Sequence, residues 1–89
     1  MEKDPQAKLD YAVDWTAWLQ PSETITTSTW TVPAGLTKAS SPAESVVGGK
    51  ATVWLSGGTA GTRYDVTNHI ITNQGREDER TLVILVNDR

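Results

Sequence analysis

The chain of 89 residues contains no cysteine and no phenylalanine, and it has one methionine and one histidine. Without cysteine, neither disulfides nor a zinc site built on thiolates can supplement its core. A chain of this length buries only about 60 to 65% of its unfolded surface. We therefore expect one domain with a small core, stabilised by packing and assisted by partners.

The charge of the chain excludes one class of partner. Its net charge is −3 and its pI is about 4.9, whereas proteins that bind nucleic acid usually carry basic stripes and a high pI. The segment Met1–Gln6 is polar and leads into no apolar run, and no stretch approaches the length of a transmembrane helix. We expect no nucleic acid, no membrane and no secretory signal, and therefore synthesis in a cytoplasm.

Alternation of apolar and polar residues predicts strands along most of the chain. The first strand competes with a helical spacing of its aromatic residues, so we expect it to end near Trp15, followed by one helical or irregular turn through Leu19. The second is rich in β-branched residues, which favour extended backbone. The predicted strands are Leu9–Trp15, Thr24–Val32, Ala51–Ser56, Tyr64–Ile71 and Thr81–Val86. Leu36–Ser40 can continue as a short strand, but the stretch Ala39–Gly49, rich in Ser, Ala, Pro and Gly, predicts a long loop with room for a short edge strand at Ser45–Val47.

The turns between these strands set the fold class. A glycine-rich loop, Gly57–Gly61, and a turn at Asn73–Arg76 punctuate the second half of the chain, and the charged block after Gly75 predicts an exposed hairpin tip. Six to seven short strands predict an all-β, immunoglobulin-like antiparallel sandwich. We expect a polar N-terminal arm over residues 1–7 and one domain over 8–89. The Tyr64 hydroxyl should bond back to the preceding corner.

The residues that could carry chemistry form no recognisable constellation. The single histidine, His69, has no cysteine or nucleophile motif beside it. Asp10 and Asp14 share a strand face, which permits a cation site, but solvated surface charges explain them better. The glycine loop lacks the lysine and the following helix of a phosphate-binding loop. The sequence predicts no enzyme, no catalytic residue, no metal and no cofactor.

Tryptophan and the last strand suggest contact surfaces. Four tryptophans are many for a chain of this length, and we expect Trp15, Trp30 and Trp54 in the core, with Trp18 facing a partner. If the even residues of the last strand face the core, then Val83 and Leu85 face outward. An exposed apolar strand needs cover, which a subunit interface provides.

Three motifs carry a resemblance to a known family. They are Asp-Trp-x-x-Trp-Leu from Asp14, Ser-Thr-Trp-x-Val-Pro from Ser28 and Gly-Gly-Thr-Ala-Gly-Thr from Gly57. With these three motifs in this order, the chain resembles a family of small tailed-phage proteins labelled phage fiber-tail adaptor proteins. The resemblance covers nearly the whole chain, apart from the loop between Thr37 and Lys50. No catalytic residues come with it.

The resemblance implies a non-enzymatic virion structural protein in the tail or head-tail region, synthesised in the cytoplasm of a host bacterium. Its partners would be other virion proteins, namely a tail or connector ring and a fiber, with several symmetric copies of the module in the particle. We expect one contact surface on the last strand at Val83 and Leu85. A second is expected at Asp4 and Pro5 with Trp18, while Arg76 to Arg80 steer docking.

Two other functions fit the same residues. One is a head decoration or head-tail joining module, which is equally structural but attaches to the capsid or connector. The other is a carbohydrate-binding module that uses Trp18 or Trp54 as a stacking platform. The second fits less well, because no polar cluster suited to sugar hydroxyls accompanies either tryptophan in the sequence.

Overall fold

Eight strands make up the fold of this computed structural model, which describes residues 2–3, 7–41 and 43–87. The described residues contain no helix, so none of them lies in a helix that could span a membrane. In chain order, the strands are β1 (Glu2–Lys3), β2 (Leu9–Asp14), β3 (Ile25–Thr31), β4 (Leu36–Lys38), β5 (Ser45–Val47), β6 (Lys50–Gly57), β7 (Arg63–Thr72) and β8 (Glu77–Val86).

The strands form two sheets. The first sheet has the order β1-β8-β7-β3, and the second has the order β2-β6-β4 with β5 also paired to β6. All pairs are antiparallel except β1 with β8, which run parallel. The predicted all-β fold with antiparallel sheets is confirmed, and seven of the strands have three or more residues.

One core lies between the two sheets. Alternate residues of β7 are buried, beginning with Tyr64, and alternate residues of β6 are buried, beginning with Ala51, as expected where each strand turns one face inward. The sheets therefore pack as a sandwich; its immunoglobulin-like topology stays a prediction. The buried apolar residues are Val13, Trp15, Trp30, Leu36, Ala51, Val53, Leu55, Tyr64, Val66, Ile70, Ile84 and Val86.

Two local predictions are confirmed by hydrogen bonds. The backbone N–H of Thr59 donates to the Tyr64 hydroxyl at 3.0 Å, which ties the glycine-rich loop to the start of β7. After β2, the N–H groups of Trp18 and Leu19 both donate to the carbonyl of Trp15 and form one turn. The Asp14 carboxylate accepts bonds from the N–H and hydroxyl of Thr16, and these bonds lower the pKa of Asp14.

The structure corrects two predictions. The block Glu77–Arg80 is not a hairpin tip but the first four residues of β8, paired with β7. All four residues are charged and exposed, so no alternation of apolar and polar residues marks them as part of a strand. Trp54 is half-buried on the outer face of the second sheet, because the buried residues of β6 are its neighbours Val53 and Leu55.

Candidate protein-interaction surfaces

Val83 and Leu85 lie on the outer face of the first sheet, as predicted. Ile84 and Val86 are fully buried on the opposite face, while Leu85 is 41% exposed and Val83 is half-buried. Their neighbours on β7 are Asp65, opposite Val83, and Arg63, opposite Leu85. Residues paired directly across two strands share a face. We call these four residues the outer patch.

The outer patch joins apolar and charged groups. Arg63 Nε lies 3.2 Å from Asp65 Oδ1, and both side chains are more than half exposed. A shallow depression of about 570 Å³ lies beside this ion pair and is also lined by Pro33 and Ala34. Apolar contact area with a polar rim is the usual make-up of a protein interface.

The rest of the same face is polar. Both ring nitrogens of His69 face carboxylates, with Glu77 at 3.4 Å and Glu79 at 3.3 Å. The hydroxyls of Thr67 and Thr81 bond across the two strands at 2.9 Å. No group of three or more histidine or acidic side chains among the described residues has the geometry to hold a metal ion. This region therefore presents exposed polar groups whose ion pairs are weak in water.

Trp18 lies between one cationic and one aromatic neighbour. The guanidinium of Arg76 lies 4.0 Å from the centre of its ring, and the ring of Trp15 meets it edge-on at 5.3 Å. Trp18 is half-buried and packs against the core. One face of the predicted contact residue is thus occupied by Arg76, and its remaining exposed surface is what a partner can reach.

Arg76 is held by a carboxylate that the sequence analysis did not single out. It donates from Nε to Glu23 Oε2 at 2.9 Å, from Nη2 to Oε1, and from Nη2 to the carbonyl of Trp18 at 3.0 Å. The Glu23 side chain is completely covered and also accepts a bond from Thr72 Oγ1 at 2.6 Å. We call Trp18, Glu23, Thr72 and Arg76 the ion-pair end of the molecule.

The electrostatics of this end follow from the geometry. The bonds from Arg76 stabilise the charged carboxylate and lower the pKa of Glu23 from 4.5 to about 2. The same carboxylate raises the pKa of Arg76. Both groups therefore stay charged at neutral pH. Such bidentate, charge-assisted pairs are the strong kind of hydrogen bond.

Arg80 covers the second aromatic ring of this region. Its guanidinium lies 4.4 Å from the centre of the Trp15 ring and donates to the carbonyl of Asp14 at 3.2 Å. Beneath it, the Trp15 indole N–H donates to Asn68 Oδ1 at 2.9 Å inside the core. Arg76 and Arg80 therefore pack over tryptophans, and Arg80 keeps an exposed side.

Comparison with known proteins decides the family. A family model described as podophage GP4 fiber-tail adaptor protein gp77 matches residues 3–85. The chain belongs to this family. The resemblance found in the three sequence motifs is thus confirmed, and the matched range includes every surface residue discussed above. A search of curated proteins finds no match to the chain.

The family match begins at a residue whose placement was not predicted. Lys3 is 1% exposed, its amine donates to the carbonyl of Gly57 at 2.6 Å, and its own carbonyl accepts a bond from the Asn87 N–H at 2.8 Å. The neighbouring predicted contact residues, Asp4 and Pro5, lie outside the described residues. We call Lys3, Gly57, Gly58, Tyr64 and Val86 the arm end; the glycine-rich loop and the bond of Tyr64 were predicted from the sequence, whereas the burial of Lys3 was not.

Proposed function

We propose that this chain is a non-enzymatic structural protein of a phage particle that joins a fiber to the tail or its connector through protein–protein contacts. The observation that carries the proposal is membership of the fiber-tail adaptor family across residues 3–85. An adaptor needs two separate contact surfaces, and the fold offers candidates on different parts of its surface. We assign no catalytic role to any residue.

The outer patch is the first proposed contact. Leu85 is 41% exposed on a regular strand, and apolar side chains at such positions favour burial against a partner. The adjacent Arg63 and Asp65 form an ion pair at the rim. Charged groups at the rim of an interface add specificity and orientation more than affinity.

The second proposed contact is the region of Trp18. The segment that contains Asp4 and Pro5 follows Lys3, which pairs with Val86 at the other end of the first sheet, so we propose it as a separate contact. The guanidinium of Arg80 lies over the Trp15 ring, which meets the Trp18 ring edge-on, and it has one exposed side. With Arg76 it would steer an acidic partner toward these rings. Several symmetric copies of the module would let modest contacts of this kind act together.

Peptide mass spectrometry of gradient-purified phage particles tests the placement. Particles would be dissociated into capsid and tail fractions, and the chain quantified against the major protein of each. A fixed ratio in the tail fraction supports the adaptor. A fixed ratio in the capsid fraction favours the head decoration or head-tail joining module, and absence from the particles overturns both.

A double substitution tests the first contact surface. Val83→Lys with Leu85→Lys should fold as the unsubstituted protein does, because both side chains point away from the core, but its amount in particles should fall about tenfold or more. The matched control is Thr27→Lys with Thr29→Lys, which places the same charges on β3, on the same face of the sheet. Equal incorporation of the two variants would remove the outer patch from the proposal.

A further inference from the structure

We propose that β1 is exchanged between neighbouring copies, so that the Glu2–Lys3 strand of one copy pairs with β8 of the next. The inference rests on the proposed function only in requiring that copies lie side by side in the particle. The acceptor site consists of the Leu85–Val86 edge of β8 and the carbonyl of Gly57. The occupant is a second copy of this chain.

The contact between β1 and β8 has a defined register. Glu2 pairs with Leu85 and Lys3 with Val86, in parallel, and the Asn87 N–H closes the contact by donating to the carbonyl of Lys3. An extended segment that adds to a sheet edge gains affinity from backbone bonds and specificity from side chains that enter pockets. Both elements are present here.

Lys3 provides the side-chain part of this recognition. It shares a face with its partner Val86, which is fully buried. From there its amine reaches the carbonyl of Gly57 at the end of β6, so one side chain joins the first sheet to the second. An aliphatic stem with a polar tip fits a site that is apolar along its length and ends in an acceptor. Burying an amine also costs desolvation, which makes docking specific rather than tight.

β1 is a short strand at the edge of the first sheet. It has two residues, and no strand of the described chain other than β8 pairs with it. β2 pairs with β6 in the other sheet, so β2 keeps its partner when β1 leaves β8. Short peripheral elements with few contacts open at the low end of a protein's local stabilities. A strand of this kind can be released without unfolding the sandwich.

The occupant follows from the site's complementarity. The site formed by Val86 and the Gly57 carbonyl is occupied by this chain's own Lys3 at the observed register, and a neighbouring copy carries the same residue after the same Glu2. Exchange of an identical element keeps every contact and links the two copies, which is the low-cost route to an assembly. At the high local concentration of a ring, the contact between copies competes with the contact within one.

Single-cysteine variants test the exchange directly, since the chain has no cysteine of its own. Neighbouring strands lie about 4.8 Å apart, within the Cα separation that a disulfide requires. Glu2→Cys and Leu85→Cys proteins would be mixed, unfolded and refolded together at increasing protein concentration, oxidised, and separated on a non-reducing gel. The control mixture pairs Glu2→Cys with Val47→Cys, because Val47 is 74% exposed on β5, away from β8.

We expect the Glu2→Cys and Leu85→Cys mixture to form the heterodimer at about tenfold or more the yield of the control, rising with protein concentration. The double variant, with both cysteines in one chain, should close within the chain when dilute and form ladders when concentrated. Adding Lys3→Ala to the Glu2→Cys chain should reduce the heterodimer yield to the control level. Tryptophan fluorescence checks that each variant folds.

Two results would overturn the inference. One is a heterodimer yield equal to the control while the double variant closes only within its own chain at every concentration. The other is a heterodimer that Lys3→Ala leaves unchanged. Because the test uses purified protein, absence of the chain from phage particles would overturn the proposed function and leave this result standing.

Discussion

The two ends of β7 are built in different ways. At the ion-pair end, a fully covered carboxylate binds Arg76 and Thr72, and Arg76 in turn binds the turn at Trp18. At the arm end, the contacts are backbone pairs, the bond between Thr59 and Tyr64, and one lysine amine on a carbonyl. The difference indicates that stability is concentrated at one end, which leaves the other free to exchange contacts.

The reason lies in the cost of a buried charge. A covered carboxylate that loses its cation keeps its full desolvation penalty, so we expect the interactions around Glu23 to be lost cooperatively. At the arm end, the released groups can be solvated as they separate, and backbone groups there can bond to water. We therefore expect cooperative unfolding to begin when the ion-pair end fails, and local opening to occur at the arm end.

The largest effect should come from Arg76→Ala. The substitution leaves Glu23 covered without its bidentate partner and removes the cation above the Trp18 ring. We expect the thermal midpoint to fall by roughly 15 °C, measured by tryptophan fluorescence or differential scanning calorimetry.

The matched control is Arg63→Ala, which breaks the exposed ion pair with Asp65. It should change the thermal midpoint by about 2 °C or less, because such pairs are screened by water. If the two arginine variants lost similar stability, the contrast between the ends would be wrong.

The next effect is a dependence of stability on acid. Glu23 has a pKa of about 2 in the folded protein against 4.5 ordinarily, so its lowered pKa adds stability at every pH above 4.5. That contribution is lost as the pH falls from about 4.5 through 2, because the unfolded chain takes up the proton first. The free energy of unfolding, measured by urea titration at pH 7, 4.5, 3 and 2, should decline in that window.

Glu23→Gln isolates this contribution. The variant should be less stable at pH 7 and should show a shallower decline between pH 4.5 and 2. Some decline will remain, since the pKa of Asp14 is also lowered, by its bonds to Thr16. An identical slope in both proteins would mean that Glu23 does not dominate the acid response.

The smallest effect on global stability should come from Lys3→Ala. We expect the thermal midpoint to fall by about 2 °C or less, because β1 is peripheral. Hydrogen exchange at the Asn87 amide, which donates to the carbonyl of Lys3, should nevertheless accelerate about tenfold. Lys8→Ala, which removes an exposed lysine bonded to the Ser41 carbonyl, should leave the rate unchanged. A loss of stability as large as that of Arg76→Ala would erase the difference between the ends.

Alternation was enough to predict most of the sandwich. β2, β3, β6 and β7 lie within a residue or two of the predicted segments, because each has one face toward the core and one toward water. β8 starts four residues before the predicted Thr81, since charged residues that pair along a strand look like a loop in sequence. β1 was not predicted, because two residues carry no periodicity and their pairing is long-range in sequence.

The candidate surfaces were predictable only where strand parity fixed them. Once Ile84 is assigned to the buried face, the alternation along a strand assigns Val83 and Leu85 to the outer face. The partners of Arg76 could not be foreseen, because Glu23 lies more than fifty residues away along the chain. The burial of Lys3 had no sequence signal at all, since lysine is almost always exposed.

The glycine-rich loop packs directly against the strand end with which β1 pairs. A methyl group added at Gly58, where φ is +99°, would lie 2.7 Å from Val86 Cγ2, on the residue with which Lys3 pairs. Any side chain at this position would push on the strand that receives the arm. A smaller residue at position 86 would relieve this contact but not the backbone strain of a side chain at φ +99°, so the strand end that pairs with β1 depends on glycine at position 58.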